Sequence, residues 1–189
     1  HAQGRVVAMV GDGVNDARRS AKSLGDICTD ECVRPFHFVV DRLADVVEIA
    51  EFPEGLAASP DGGMVAVVSN TAQASFVQLI AYRDGRFDDP VRIDLADVGV
   101  RGSADAPRGG VTATNVQWHP SGRFLAVNIN TQDRVAFFEL VDDGGKPGLR
   151  PWGNIVETGA DPFVGRFTPD GGYYLTSDWG RNFSATDLA

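Results

Sequence analysis

Apolar runs of strand length, each entered through a turn rich in Pro, Asp and Gly, recur four times along the chain. Ser59-Pro60-Asp61-Gly62-Gly63 leads into Met64-Val65-Ala66-Val67-Val68-Ser69-Asn70, and His119-Pro120-Ser121-Gly122-Arg123 leads into Phe124-Leu125-Ala126-Val127-Asn128-Ile129-Asn130 in the same register. Thr168-Pro169-Asp170-Gly171-Gly172 precedes Tyr173-Tyr174-Leu175-Thr176-Ser177-Asp178, and His1-Ala2-Gln3-Gly4-Arg5 precedes Val6-Val7-Ala8-Met9-Val10-Gly11-Asp12. Pro presets φ for the turn and Gly accepts the left-handed position, so each copy reads as a tight hairpin turn feeding a buried strand. Further strands are predicted over 36–41, 46–52, 56–59, 76–82, 91–95, 112–118, 134–140, 154–157 and 163–167. The stretches 83–86 and 142–153 read as turns, 96–111 as a Gly-rich connection, and 13–35 as a long connection with a short helix over 16–24.

The copies repeat at intervals of roughly 50 to 60 residues, slightly long for one four-stranded propeller blade with its loops. The chain is therefore expected to be all-β, a β-propeller segment of four-stranded antiparallel blades and part of a larger ring. Blade one would cover 1–52, lacking its inner strand and carrying the 13–35 insertion. Blade two would cover 53–95, blade three 112–157, and 161–189 would begin blade four. About three blades fall short of the four to eight that close a ring, so the remaining blades are expected from the rest of the chain or from another copy.

Composition fits many short strands: 189 residues, 43% hydrophobic, with 22 Gly and 10 Pro. No apolar stretch approaches the roughly 18 residues of a membrane span. A net charge of −9 disfavours nucleic acid and anionic membranes as partners, because both require clustered Lys and Arg. The expected partner is a small molecule or a protein bound on the loop face. Cys28 and Cys32 are the only cysteines. A loop disulfide is the first reading, which would place the protein in the periplasm or outside the cell; free thiols come next, and a metal pair last, since His37 alone does not complete a zinc set.

Val7-Ala8-Met9-Val10-Gly11-Asp12-Gly13-Val14-Asn15-Asp16-Ala17 resembles the last motif of the haloacid dehalogenase superfamily, whose two aspartates help hold magnesium. This makes a phosphatase fragment a remote alternative. Against it, the chain contains no Asp-x-[Asp/Thr]-Gly-Thr nucleophile motif, its downstream residues do not alternate strand and helix, and the string aligns with the other three repeats. The repeat reading has 6–10 pairing antiparallel with 36–41.

Pro53-Glu54-Gly55-Leu56-Ala57-Ala58-Ser59-Pro60-Asp61-Gly62-Gly63, with weaker echoes at 112–123 and 161–172, resembles the YVTN-type repeat of lactonase-like seven-bladed propellers. Leu175-Thr176-Ser177-Asp178 stands where that family carries Tyr-Val-Thr-Asn, although Asn70 and Asn130 lie one position later than the family's Asn. The resemblance implies a fold more than a chemistry, because fold alone does not choose among enzymes and binding modules. It leaves two readings: an extracytoplasmic scaffold that binds a ligand or protein on its loop-rich face, and a lactonase-like hydrolase that opens a cyclic ester. For the second, the family implies a divalent cation, calcium or magnesium, at the channel mouth.

Functional groups are expected on the face opposite the Ser-Pro-Asp-Gly turns. Six residues before each turn Pro stand Glu54, Thr114 and Phe163, followed by Gly55, Asn115 and Val164; the same face receives Asp12, Asp16, Asn70, Asn128, Asn130 and Asp178. Glu54 as metal ligand with Asn115 and Asn128 as supporting amides is the expected set, and Asn130, Asp178 and Trp179 complete the expected ligand-binding group. The plainer reading stays open: Glu54 as a solvated loop carboxylate, and Asn130 as a turn former. No histidine is accompanied by the Ser and Asp of a triad.

Overall fold

A computed structural model describes residues 47–50, 52–72, 74–102 and 111–180. They form three antiparallel sheets. The first contains β1 (Pro53–Ala58), β2 (Met64–Asn70) and β3 (Ser75–Arg83), with β4 (Arg86–Phe87) and β5 (Val91–Asp94) sharing the place outside β3. The second contains β6 (Ala113–Trp118), β7 (Phe124–Ile129) and β8 (Arg134–Asp143), with β9 (Lys146–Pro151) and β10 (Val156–Glu157) sharing the outer place in the same way. The third is the pair β11 (Pro162–Phe167) and β12 (Tyr174–Asp178). Each complete sheet is thus a four-position antiparallel blade, and the all-β propeller segment expected from the repeats is what the chain forms. No helix among the described residues is long and apolar enough to cross a membrane.

The turn phrase works as its chemistry requires. Ser59 donates its hydroxyl to Asp61 Oδ1 at 2.5 Å and accepts from the Met64 N–H at 2.9 Å, while the Gly63 N–H donates to Asp61 at 3.0 Å. Gly62 takes the left-handed φ of 73° that this hairpin needs. Thr168, Asp170 and Gly172 repeat the pattern. In the middle copy His119 stands in: its Nδ1 accepts from the Ser121 N–H at 3.1 Å, and Nε2 lies 3.2 Å from the Gly171 carbonyl in the next turn. A Cβ on Gly171 would sit 2.2 Å from that nitrogen, so only glycine fits there.

The Val-rich run of β2 is continuous because both of its faces are covered. Ala66 and Val68 join Val116, Leu125, Val127, Ile129 and Phe138 in the core between the first two sheets. Val65 and Val67 pack the other way, against Val47, Ile49 and Leu56. β7 splits likewise, since Leu125 and Val127 face the first sheet whereas Asn128 reaches the third. An aromatic group seals that second junction, with Phe137 edge-on to Tyr174 at 5.6 Å and His119 edge-on to Phe167 at 5.0 Å.

Two expectations change. The stretch 142–153 is not a single turn: β8 runs to Asp143, Gly144 and Gly145 turn it at φ 63° and 87°, and β9 returns along it. The Gly and Pro content hid a two-residue hairpin whose positive φ values glycine supplies. Residues 47–50, expected within a strand over 46–52, carry no strand pairing among the described residues, although Ala50 N–H donates to Gln78 at 3.0 Å. The segment 6–10, the string Gly11–Ala17, the helix over 16–24, the strand over 36–41 and Cys28 with Cys32 lie outside the described residues.

Among the described residues three carboxylates are held below their ordinary range. Glu139 is lowered by hydrogen bonds from Arg150 and then Arg123, Asp61 by Ser59 and then the Gly63 N–H, and Asp170 by Thr168 and then the Gly172 N–H. A folded-state value below the unfolded one gives stability that is present at neutral pH and lost as pH falls through the carboxylate range, near about 4. Both arginines are largely exposed, so the contribution of the Glu139 group is screened. The urea midpoint is expected to fall on acidification below about pH 4.5, and Glu139→Gln to flatten part of that slope. A midpoint independent of pH from 7 to 3 would contradict this.

Candidate functional site

The inner strand of every sheet carries a bulge at the same place. In β1 the register slips between Pro53 and Gly55, in β6 between Ala113 and Asn115, and in β11 between Pro162 and Val164. The residue left over is Glu54, Thr114 and Phe163 in turn. A bulge bends the strand and re-aims its side chain, and here it does so three times on the rim opposite the Ser-Pro-Asp-Gly turns. The blades are close at this level: a Cβ on Gly55 would stand 2.9 Å from the Thr114 carbonyl and 3.0 Å from Asn115 Cα.

Most of the polar residues on this rim tie one blade to the next. Asn70 donates Nδ2 to the Ala113 carbonyl at 2.9 Å and accepts the Ala113 N–H at 3.0 Å, a two-point clasp between blades two and three. Between blades three and four, Thr114 donates to the Phe163 carbonyl at 3.0 Å, Asn115 Nδ2 to the Gly165 carbonyl at 3.0 Å, and Asn128 Nδ2 to the Pro162 carbonyl at 3.2 Å. Asn128 Oδ1 accepts the Tyr174 hydroxyl at 2.6 Å. Burial pushes that hydroxyl well above the ordinary phenol range, more than the Asn115 hydrogen bond and the Arg166 charge lower it, so Tyr174 remains a neutral donor.

The placement shows what each of these side chains touches. Asn128 is fully buried, with both ends of its amide used across the blade junction, and Asn115 is buried with its Nδ2 committed to β11. Each of these amides thus helps tie blade three to blade four. Glu54 is exposed, and its carboxylate makes no hydrogen bond or ion pair with another described residue. Among the described residues no three His, Cys, Asp or Glu side chains are grouped to hold a metal ion. Asp12 and Asp16, also expected on this face, lie outside the described residues.

Asn130 sits at the position of Asn70, yet its Oδ1 is buried without a hydrogen-bond partner among the described residues. The sequence supplies the reason. The counterpart of Ala113, whose N–H completes the Asn70 clasp, is Pro162, which has no N–H to give. Asp178 is exposed and packs on Gly159, where an added Cβ would lie 2.3 Å from its Oδ2. Trp179 occupies the Asn70 position of blade four and stacks on Phe163, centroids 4.1 Å apart and planes 18° from parallel. Tyr174 was not expected here. The signal for it was the pairing of Asn128 with a hydroxyl-bearing residue where the preceding junction has Val68 and Leu125.

No family model matches the chain, and no curated protein does. Solved structures do resemble it. The periplasmic gluconolactonase PpgL of Pseudomonas aeruginosa superposes with a TM-score of 0.51 at 20% identity, over 68% of this chain and 36% of that one. A Bacteroides uniformis protein provisionally named a 6-phosphogluconolactonase gives 0.50 at 21% identity, over 69% and 34%. A protein of unknown function from Desulfotomaculum acetoxidans gives 0.50 at 17%, over 70% and 37%. The chain spans about a third of the length of these structures, and at such identities the likeness establishes the fold, that of lactonase-like β-propellers.

Proposed function

We propose that these blades serve a lactonase-like hydrolase that opens a cyclic ester at the bulged rim, with Glu54 as its carboxylate. The observation that carries the reading is the position of Glu54: the one acidic side chain among the three bulge residues, exposed and not engaged by any described residue. A carboxylate in that state is suited to general-base work. It takes a proton from water as the oxygen adds to the ester carbonyl, and returns the proton to the ring oxygen as the C–O bond breaks, leaving a hydroxy acid. The names of two structural neighbours point to the same chemistry, which favours turnover over the pure binding scaffold that the sequence allowed. A divalent cation at the channel mouth, the companion expectation, would polarise the ester carbonyl there. A periplasmic or secreted location is part of the proposal and rests on Cys28 and Cys32.

Hydrolysis of D-glucono-δ-lactone by the full-length protein, followed by titration of released acid, tests the reading. Glu54→Gln is expected to lower kcat by about 100-fold, the lower end of what a positioned general base contributes. A variant that hydrolyses the lactone at the parent rate would remove Glu54 from the mechanism.

A further inference from the structure

Asp followed by Gly is the pair in which an aspartyl carboxyl most readily reacts with its own main chain, because glycine has no Cβ to keep the carboxyl from the next backbone nitrogen. The chain contains five such pairs: Asp12-Gly13, Asp61-Gly62, Asp84-Gly85, Asp143-Gly144 and Asp170-Gly171. The first lies outside the described residues. The other four fall into two settings. Asp61 and Asp170 sit in the repeated turn between the first two strands of a blade, whereas Asp84 lies between β3 and β4 and Asp143 ends β8, both in outer hairpins.

In the repeated turn both reacting groups are engaged. The Asp61 carboxylate accepts the Ser59 hydroxyl at 2.5 Å and the Gly63 N–H at 3.0 Å, and the Gly62 N–H donates to the Ser59 carbonyl at 2.9 Å. Asp170 is held in the same way by the Thr168 hydroxyl and the Gly172 N–H, the Gly171 N–H donates to the Thr168 carbonyl at 2.9 Å, and His119 crowds that glycine. The hydroxyl bonds, and then the N–H bonds, keep both carboxyls below their ordinary range and so ionised, the form less open to attack. In the outer hairpins neither group is engaged. The Asp84 and Asp143 carboxylates make no hydrogen bond or ion pair with another described residue, and neither the Gly85 nor the Gly144 N–H donates to one. A Cβ on either glycine would meet nothing within 4 Å. The bond from the Gly145 N–H to Asp142 at 2.6 Å involves neither reacting group.

We infer that Asp84-Gly85 and Asp143-Gly144 are sites of spontaneous isoaspartate formation, and that the Ser/Thr-Pro-Asp-Gly turn shields its own aspartate from the same reaction. The glycine nitrogen adds to the aspartyl Cγ and gives its proton to solvent, while the carboxyl hydroxyl leaves as water. Water then opens the cyclic imide. Attack at Cγ restores aspartate, and attack at the former main-chain carbonyl routes the chain through Cγ, so one water is lost, one is gained and nothing is oxidised or reduced. The added main-chain methylene falls where Arg83 pairs with Arg86 and where Asp143 pairs with Lys146, so the two-residue loops lose their register. This chemistry needs no part of the hydrolase proposed above.

Peptide mapping of the full-length protein after weeks in heavy-oxygen water at about pH 5.5, where part of an ordinary carboxyl population is protonated, reads each site. Every opening of the imide leaves one heavy oxygen in the peptide, and the isoaspartyl form separates from the aspartyl form at equal mass. Isoaspartate is expected to accumulate at Asp84 and Asp143 at least about tenfold faster than at Asp61 and Asp170, because several hydrogen bonds must first break at the latter pair. In denaturing urea the four rates should converge. Ser59→Ala should raise the rate at Asp61 by about fivefold or more and leave Asp84 unchanged, with a melting curve showing that the variant is folded. Equal rates at the four sites of the folded protein would overturn the inference, as would unreactive Asp84 and Asp143 in the folded protein when the urea-unfolded chain reacts. Folded Ser59→Ala with Asp61 still at the parent rate would overturn the shielding. Should that variant not fold, the parent decides alone, since folding must slow Asp61 and Asp170 far more than Asp84 and Asp143.

Discussion

Replacing Asn128 with Ala is expected to cost about 3 kcal/mol of stability, because each buried polar group left without its partner costs about 1–3 kcal/mol and two are abandoned. Asn128 is wholly buried, and its amide serves the Pro162 carbonyl on one side and the Tyr174 hydroxyl on the other. The Pro162 carbonyl keeps a long contact with Thr114 at 3.4 Å, and Tyr174 keeps Asn115. The preceding junction shows how the loss can be repaired. There the equivalent positions are Val68 and Leu125, both fully buried and apolar. The double variant Asn128→Val with Tyr174→Leu should therefore recover more than about 1 kcal/mol over the sum of the single variants, since removing both partners of a buried pair is far cheaper than removing one. Urea unfolding of the four proteins gives the cycle; strict additivity would mean that the pair does not interact.

Gly165→Ala is expected to be as damaging, again by about 3 kcal/mol, from overpacking of about 1–3 kcal/mol together with the buried hydrogen bond it breaks. A Cβ at Gly165 would lie 2.2 Å from Tyr174 Oη and 2.4 Å from Cζ. The ring is half-buried and bonded to Asn128, so it must swing out of the junction, and the bond goes with it. The usual gain from replacing a strand glycine, about 0.5–1 kcal/mol, is too small to compensate. In a Tyr174→Leu background the same substitution should cost little, because the shorter side chain leaves room. A neutral Gly165→Ala in the parent protein would show that blade four packs differently from the arrangement described.

The fold was legible because its determinants are local and repeated. The phrase from Ser59 to Gly63 carries its own hydrogen bonds, and the alternation in β2 and β7 is fixed by burial on two faces. The hairpin at Gly144-Gly145 was missed for the opposite reason: glycine signals a turn equally well whether two strands flank it or none do. At the candidate site, residue type gathered the polar residues on one rim but did not tell what each of them touches. An Asn is an oxygen ligand and also a backbone mimic, and only the approach of the next blade makes Asn70, Asn115 and Asn128 ties. Glu54 is different: Thr114 in the same slot ties to Phe163, whereas the Glu54 carboxylate makes no hydrogen bond with another described residue. The orphaned oxygen of Asn130 could have been anticipated by aligning Pro162 with Ala113 and asking which N–H the repeat had lost.

The division of the rim into residues that hold blades and residues that act on a ligand is tested most directly by one comparison, the kcat for D-glucono-δ-lactone of Asn128→Ala against that of Glu54→Gln, taken at a temperature where both are folded. Asn128→Ala should retain kcat within about threefold of the parent, while Glu54→Gln falls by about 100-fold. A collapse of kcat in folded Asn128→Ala, to the level of Glu54→Gln, would return that amide to the site and contradict its assignment as an inter-blade tie.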